Sequence, residues 1–338
     1  MQDPSVSLEA EFRSLRLICA DLASWMVTPD PEDASAARRL ANGARTRLWL
    51  RFLREHCGID GILQLQRVLD PPCFYRDRRN HTQHSAKFSH YQTGRSRPDE
   101  EQLLRINMIV PGSYEAFHHP ALDFVSDPRP GAYVYPPAPT QTTLVKALGY
   151  RETDGAIAWR ESLNEAQVQL LLSSPGLESL AYTARLWSLA CVKQKPREIA
   201  KMTKWVYGHL LISLPELQRT GILVPLMKLF ELKVFRATRW NMRYAAVQPL
   251  DVVYDFEILH VLAREHAPAS GWTDAGRRGF WADVILGRKV PEARGAFDTL
   301  WILPGADPKA DEELQRIIET RLDAYSRVSA KYQVDWLA

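Results

Sequence analysis

Between Phe74 and Arg97 six cations, Arg76, Arg78, Arg79, Lys87, Arg95 and Arg97, stand against a single acid, Asp77. Phe74, Tyr75, Phe88 and Tyr91 are interleaved with them, together with His81, His84 and His90. Cations neutralise phosphates and flat rings stack on bases, so the mixture suits nucleic-acid contact. A hydrated basic loop has the same composition, and only the placement of the guanidinium groups separates the two readings. Two further basic runs can share the surface: Lys193, Lys195, Arg197, Lys201 and Lys204 against Glu198, and Lys233, Arg236, Arg239 and Arg243 with no acid.

Other chemistry finds less support. Asp251, Asp255 and Glu257 form a carboxylate cluster of the kind that holds a divalent ion in nucleases, or simply the polar side of a regular element. His81 and His84, with Cys73 nearby, offer metal donors but no fourth ligand, so no metal is expected there. His118-His119 before Pro120 reads as a cap or phosphate contact, and Glu265-His266 as surface. The chain carries neither Gly-x-Ser-x-Gly nor a Walker-type phosphate loop. No cofactor is implied, and a non-enzymatic role is expected.

The elements that position these residues read as mainly α-helical. Helical periodicity predicts helices over Leu8–Met26, Ala36–His56 and Ile59–Leu69, the second ending before Gly58. A helix over Asp99–Met108 follows Pro98. Five of the 22 prolines lie within Ser126–Gln141, which divides the chain into an N-terminal helical basic domain (1–127), a connector (128–141) and a C-terminal helical domain (142–338). Thr153-Asp-Gly155 marks a turn. Helices are predicted at Asn164–Leu172, Leu177–Val192, Pro196–Leu214 and Gly221–Phe235. Val247–Tyr254 reads as extended, Asp255–Glu265 as helix, and Gly271–Gly305 as a loop-rich subdomain. A last helix opens at Asp307-Pro308 and carries Leu314, Ile317, Ile318, Leu322, Tyr325 and Val328 as one apolar stripe.

The string Phe88-Ser-His-Tyr-Gln-Thr-Gly94, then Arg95 to Pro98, then Glu101 to Ile106, resembles the second half of the helix-turn-helix in Cro/C1-type (XRE-like) regulators. The resemblance covers about 25 residues, within 83–108. It implies a recognition helix near Gln83–Tyr91, with Gln83, His84, Ser85 and Lys87 nearest the major groove. The chain departs from the family upstream, where Asp70–Asn80 replaces the usual short turn of roughly 3–4 residues. Gln92 also stands where the family carries glutamate.

Composition bounds these readings. With 338 residues, 46% of them hydrophobic, the chain can bury a sizeable core. A net charge of +3 implies no polyanion partner by itself, so the local runs must carry that case. Cys19, Cys57, Cys73 and Cys191 form no CxxC pair and read as reduced thiols. The N-terminus shows no signal peptide, and the apolar stretch Trp205–Phe235 is interrupted by charges and prolines. A cytoplasmic DNA-binding regulator of bacterial type, or an accessory factor in a DNA-handling assembly, is the expected function. Phosphate contacts would come from Arg76, Arg78, Arg79, Lys87, Arg95 and Arg97, and base readout from Gln83, His84 and Lys87. The alternatives are an assembly subunit docking a protein partner or a second copy through its Trp-rich C-terminal helices, and a metal-dependent nuclease at Asp251, Asp255 and Glu257.

Overall fold

The computed structural model describes residues 4–31, 33–76, 82–126, 151–153, 156–158, 163–174, 176–237, 239–240, 243–298, 300–302 and 312–332. The fold is mainly α-helical. The proline-rich connector expected at 128–141 and the helix start expected at Asp307-Pro308 lie outside the described residues.

Helix α1 spans Pro4–Val27 and α2 spans Ala34–Cys57. The Asp33 carboxylate caps α2 by accepting the Ala36 amide at 2.7 Å, and Gly58 ends it in the left-handed region at φ 64°. Helix α2 runs through two apolar cores. Its Ala41 and Ala44 belong to a large one, while Trp49, Leu50 and Leu53 belong to a smaller one completed by Leu65, Phe88, Tyr91, Leu103, Ile106 and Phe117. The Trp49 ring centroid lies 6.1 Å from that of Phe88, 6.0 Å from Tyr91 and 6.4 Å from Phe117. This aromatic cluster seats the basic element.

That element consists of α3 (Ile62–Leu69), the antiparallel strands β1 (Phe74–Arg76) and β2 (Thr82–His84), α4 (Lys87–Thr93) and α5 (Glu100–Ile109). Short helices α6 (Ser113–Phe117) and α7 (Pro120–Ser126) follow. Strands β3 (Arg151–Thr153) and β4 (Ala156–Ala158) form a second small hairpin.

The larger core is built from α8 (Glu165–Ser173), α9 (Leu177–Val192), α10 (Pro196–Arg219), α11 (Leu223–Phe230), α12 (Pro249–Glu265), α13 (Asp274–Ile285) and α14 (Glu312–Tyr332). Helix α1 joins it through Ile18, Leu22 and Trp25. A Cβ on Gly208 of α10 would lie 2.8 Å from Ile285, so a side chain there would push α10 away from α13. A π-helical turn (Glu231–Phe235) extends α11. It leads to a small antiparallel sheet of β5 (Arg239–Trp240), β6 (Arg243–Ala246) and β7 (Leu300–Ile302), with Ala245 opposite Trp301.

Three expectations need correction. Val247–Tyr254 is not extended: Pro249 opens α12, whose Val252, Phe256 and Leu259 are buried. The valines there have strand propensity, but the near-fourfold spacing to Phe256 and Leu259 places one face in the core, and packing overrides propensity. The stretch expected to be loop-rich contains α13, started by the Thr273 hydroxyl accepting the Gly276 amide at 3.1 Å. Leu322 is exposed, and the buried place beside it on α14 belongs to Arg321.

Candidate nucleic-acid interface

Gly94 sets the shape of this region. At φ 72° it ends α4, and its amide together with that of Arg95 bonds back to carbonyls of the last turn. Left-handed backbone costs an L-residue about 1–2 kcal/mol and glycine nothing. The turn then runs through Arg95, Ser96 and Arg97 to Asp99, whose carboxylate caps α5 by accepting the Gln102 amide at 2.8 Å. Pro98 is buried and lies just before the cap rather than inside the helix.

A buried polar chain fixes α4 and α5 to the end of α3. The Tyr91 hydroxyl donates to Gln102 at 2.5 Å, and the Gln102 amide donates to Asp70 at 3.1 Å. Arg105 donates to the other Asp70 oxygen at 2.5 Å, while Lys87 sits 3.7 Å from that carboxylate. Gln66 of α3 in turn donates to the Ser85 carbonyl at 2.8 Å. The scaffold is rigid because each buried polar partner is satisfied within it.

On that scaffold the sequence-predicted residues separate. Arg95 and Arg97 are exposed, and neither side chain makes an ion pair or hydrogen bond among the described residues. Lys87 is partly committed to Asp70. Arg76 lies in β1, and Gln83 and His84 lie in β2, where Tyr75 pairs with Gln83 and Phe74 with His84. Gln83 and His84 therefore precede the helix instead of riding on it, and the expected recognition helix at 83–91 is replaced by a strand and a helix starting at Lys87. Pairing with the Phe-Tyr-Arg strand draws Thr82–His84 into extended backbone. Arg78, Arg79 and His81 lie outside the described residues.

Sequence reasoning missed a second set of cations. A Cβ on Gly94 would lie 3.3 Å from the Gly43 Cα, so the turn rests directly on α2. Gly43 is flanked four residues away on each side by Arg39 and Arg47, which share its face. These three residues, with Pro29, Asp30, Pro31, Ala36, Leu40, Ala44, Thr93, Gly94 and Pro225, line a groove of about 520 Å³. The signal was the i, i+4, i+8 repeat Arg39, Gly43, Arg47, which a search for contiguous basic runs passes over.

The other basic runs contribute unequally. Arg236 reaches this groove through Asp30, 2.7 Å from its carboxylate, and the Lys228 ammonium donates to the same Asp30 at 2.6 Å. The Lys228 bond, with Arg236 beside it, holds the Asp30 carboxyl below its ordinary range. Lys233 is buried and donates to the Phe124 carbonyl. The side chains of Arg239 and Arg243 lie outside the description. In the second run Lys193, Lys195 and Arg197 are exposed, Lys201 sits over the Trp205 ring at 4.9 Å, and Lys204 pairs with Asp298.

The carboxylate cluster does not assemble into an ion site. Asp255 is fully buried and accepts from the Tyr207 hydroxyl at 2.5 Å, the Tyr325 hydroxyl at 2.6 Å and Arg321 at 3.1 Å. Burial pushes its carboxyl up to about 6 against the pull of Arg321 and the two hydroxyls. Asp251 is 3.9 Å from the same guanidinium. Glu257 lies on another face of α12 and acts on Cys19 of α1, whose thiol is pushed up first by burial and then by that carboxylate. Arg321 thus occupies the place a cation would take. Among the described residues no group of three or more His, Cys, Asp or Glu is arranged to hold a metal.

Ser179, His209 and Thr183 form a hydroxyl-imidazole-hydroxyl chain with both contacts at 3.0 Å. All three are fully buried, so no substrate reaches them, and burial lowers His209 to about 3. Trp25, Trp49, Trp187 and Trp281 are likewise core residues, which removes them from any docking surface. Among the described residues no helix is long and apolar enough to cross a membrane. Comparison with protein-family models, with curated proteins and with solved structures returned no match.

Proposed function

We propose that the protein binds nucleic acid, most readily double-stranded DNA, through the cationic element that ends in the Gly94 turn, and that it acts as a regulator or accessory subunit of a DNA-handling assembly. The observation that carries this reading is the contrast between scaffold and tip. The scaffold residues Asp70, Gln102 and Tyr91 are bonded to one another, while Arg95 and Arg97 extend from the same turn with no protein anion among the described residues. A guanidinium with five N–H donors and no internal partner, carried on a fixed turn, suits a phosphate. Arg95 and Arg97 supply backbone contacts, Lys87 divides its charge between Asp70 and the ligand, and Arg76, Gln83 and His84 come from the adjoining hairpin. The resemblance to Cro/C1-type regulators points to the same element.

The test is anisotropy of a labelled duplex titrated with the full-length protein across a potassium chloride series. Binding should weaken steeply with salt, and Arg95→Glu with Arg97→Glu should abolish most of it. Affinity that ignores both salt and the substitutions would contradict the reading.

A second reading rests on α5, where Leu104 and Met108 are exposed four residues apart, Met108 at 80%. One turn of spacing puts them on one face, which suits self-association or a protein partner. Light scattering on wild type and Met108→Glu distinguishes the two: a dimer lost on substitution, with no DNA binding, would favour assembly.

A further inference from the structure

The groove between α2 and the Gly94 turn has properties the basic run alone does not explain. Arg39 and Arg47 line it two helical turns apart, with Gly43 between them and Gly94 against Gly43, so no side chain from either glycine fills the floor. Arg39 spends one bond on the Ser35 hydroxyl at 3.0 Å and Arg47 one on the Gly221 carbonyl at 3.2 Å. Each guanidinium keeps further N–H donors beyond that bond. Asp30 is the one acid among the described lining residues, and Lys228 and Arg236 already neutralise it. The rest of the lining is apolar apart from Thr93, whose hydroxyl is spent on carbonyls of its own helix. Apolar walls lower the local dielectric and strengthen the field of the cations inside them.

We infer that this groove seats one phosphate of the bound nucleic acid between Arg39 and Arg47, making α2 part of the interface. The inference rests on the nucleic-acid reading above and adds to it. Arg95 follows directly on Gly94, which lines the groove, so a strand held at the turn lies close to the groove's mouth. Neither Arg39 nor Arg47 belongs to the basic run, and both reach the site because α2 and the turn meet glycine to glycine.

The deciding experiment measures duplex binding across salt for wild type, Arg39→Ala/Arg47→Ala, Ala36→Glu and Arg95→Glu/Arg97→Glu, with a melting curve for each. Ala36→Glu is the control for folding, because an acid in the first turn of a helix is favourable there while its carboxylate enters the groove. Loss of two charge-assisted bonds predicts at least about a tenfold weaker Kd for Arg39→Ala/Arg47→Ala. Loss of one neutralised phosphate predicts a salt slope shallower by about 0.9. Ala36→Glu should weaken binding similarly with an unchanged melting temperature.

If both groove variants bind like wild type while Arg95→Glu/Arg97→Glu does not, the groove inference fails and the broader reading stands. If wild type binds neither duplex nor single strand, both fail. Inorganic phosphate that raises the melting temperature of wild type but not of Ala36→Glu, with duplex affinity indifferent to the groove, would assign the site to a free phosphate and overturn the inference. Equal binding of polyglutamate and DNA would overturn it in favour of an acidic protein partner.

Discussion

Two arginine environments in this molecule differ in burial and in partner. Arg321 on α14 is 5% exposed at its side chain and sits 3.1 Å from the buried Asp255, with Tyr207 and Tyr325 completing the carboxylate's bonds. Arg95 and Arg97, on a turn fixed by Gly94, Pro98 and the Asp99 cap, have no such partner among the described residues. Both stand on ordered backbone, but Arg321 is buried against its anion whereas Arg95 and Arg97 are exposed. The separation lies in whether the fold supplies the anion. Where it does, the cation belongs to the architecture; where it does not, the cation is open to an external anion, as the proposed interface requires.

The contrast breaks most visibly at Arg321. Arg321→Leu leaves Asp255 buried with its principal counter-charge gone, and should lower stability by about 3–5 kcal/mol in urea unfolding. A loss below about 1 kcal/mol would mean that the two tyrosines alone satisfy the carboxylate.

Acid sharpens the same comparison. His209 is buried and its folded pKa is about 3, against an ordinary value of 6.5. The unfolded chain therefore takes up the proton first, so the contribution is complete above pH 6.5 and is lost as pH falls toward 3. Such a group forfeits about 2 kcal/mol over the first 1.5 pH units of that descent. The urea midpoint of wild type should fall between neutral pH and pH 5, and that fall should be smaller in His209→Gln. Equal falls would place the acid sensitivity elsewhere.

Gly94→Ala carries a smaller cost, about 1–2 kcal/mol for the left-handed backbone, with the new methyl pressed on Gly43 at 3.3 Å. Because the strain lies in the turn that presents Arg95 and Arg97, duplex affinity should drop along with the melting temperature. Affinity unchanged at a lowered melting temperature would show that the turn's geometry is irrelevant to binding. Smallest for stability is Arg95→Glu/Arg97→Glu, expected within about 0.5 kcal/mol of wild type by denaturation.

Much of the helical frame was legible in the sequence. The periodicity of Ala36–His56 and Leu177–Val192 matches α2 and α9, and Gly58 and Gly94 mark helix ends as their left-handed backbone requires. The hairpin β1–β2 was not legible, because three-residue strands reading Phe-Tyr-Arg and Thr-Gln-His carry too few positions to show alternation. The last helix was read with Leu322 inward, yet Arg321 is buried there, since its charge is matched by Asp255 from α12, a partner 66 residues away in the chain. The candidate site was half legible. Composition found Arg95 and Arg97, but Arg39 and Arg47 join them only through the tertiary approach of Gly43 to Gly94; their repeat marks a shared helix face, not what that face meets.

The most direct measurement is the slope of log Kd against log salt for a DNA duplex, wild type beside Arg95→Glu/Arg97→Glu at matched melting temperature. Two lost phosphate contacts predict a slope shallower by about 1.8 and a much weaker complex. Superimposable slopes and affinities for the two proteins would show that these arginines meet no external anion and would overturn the interface.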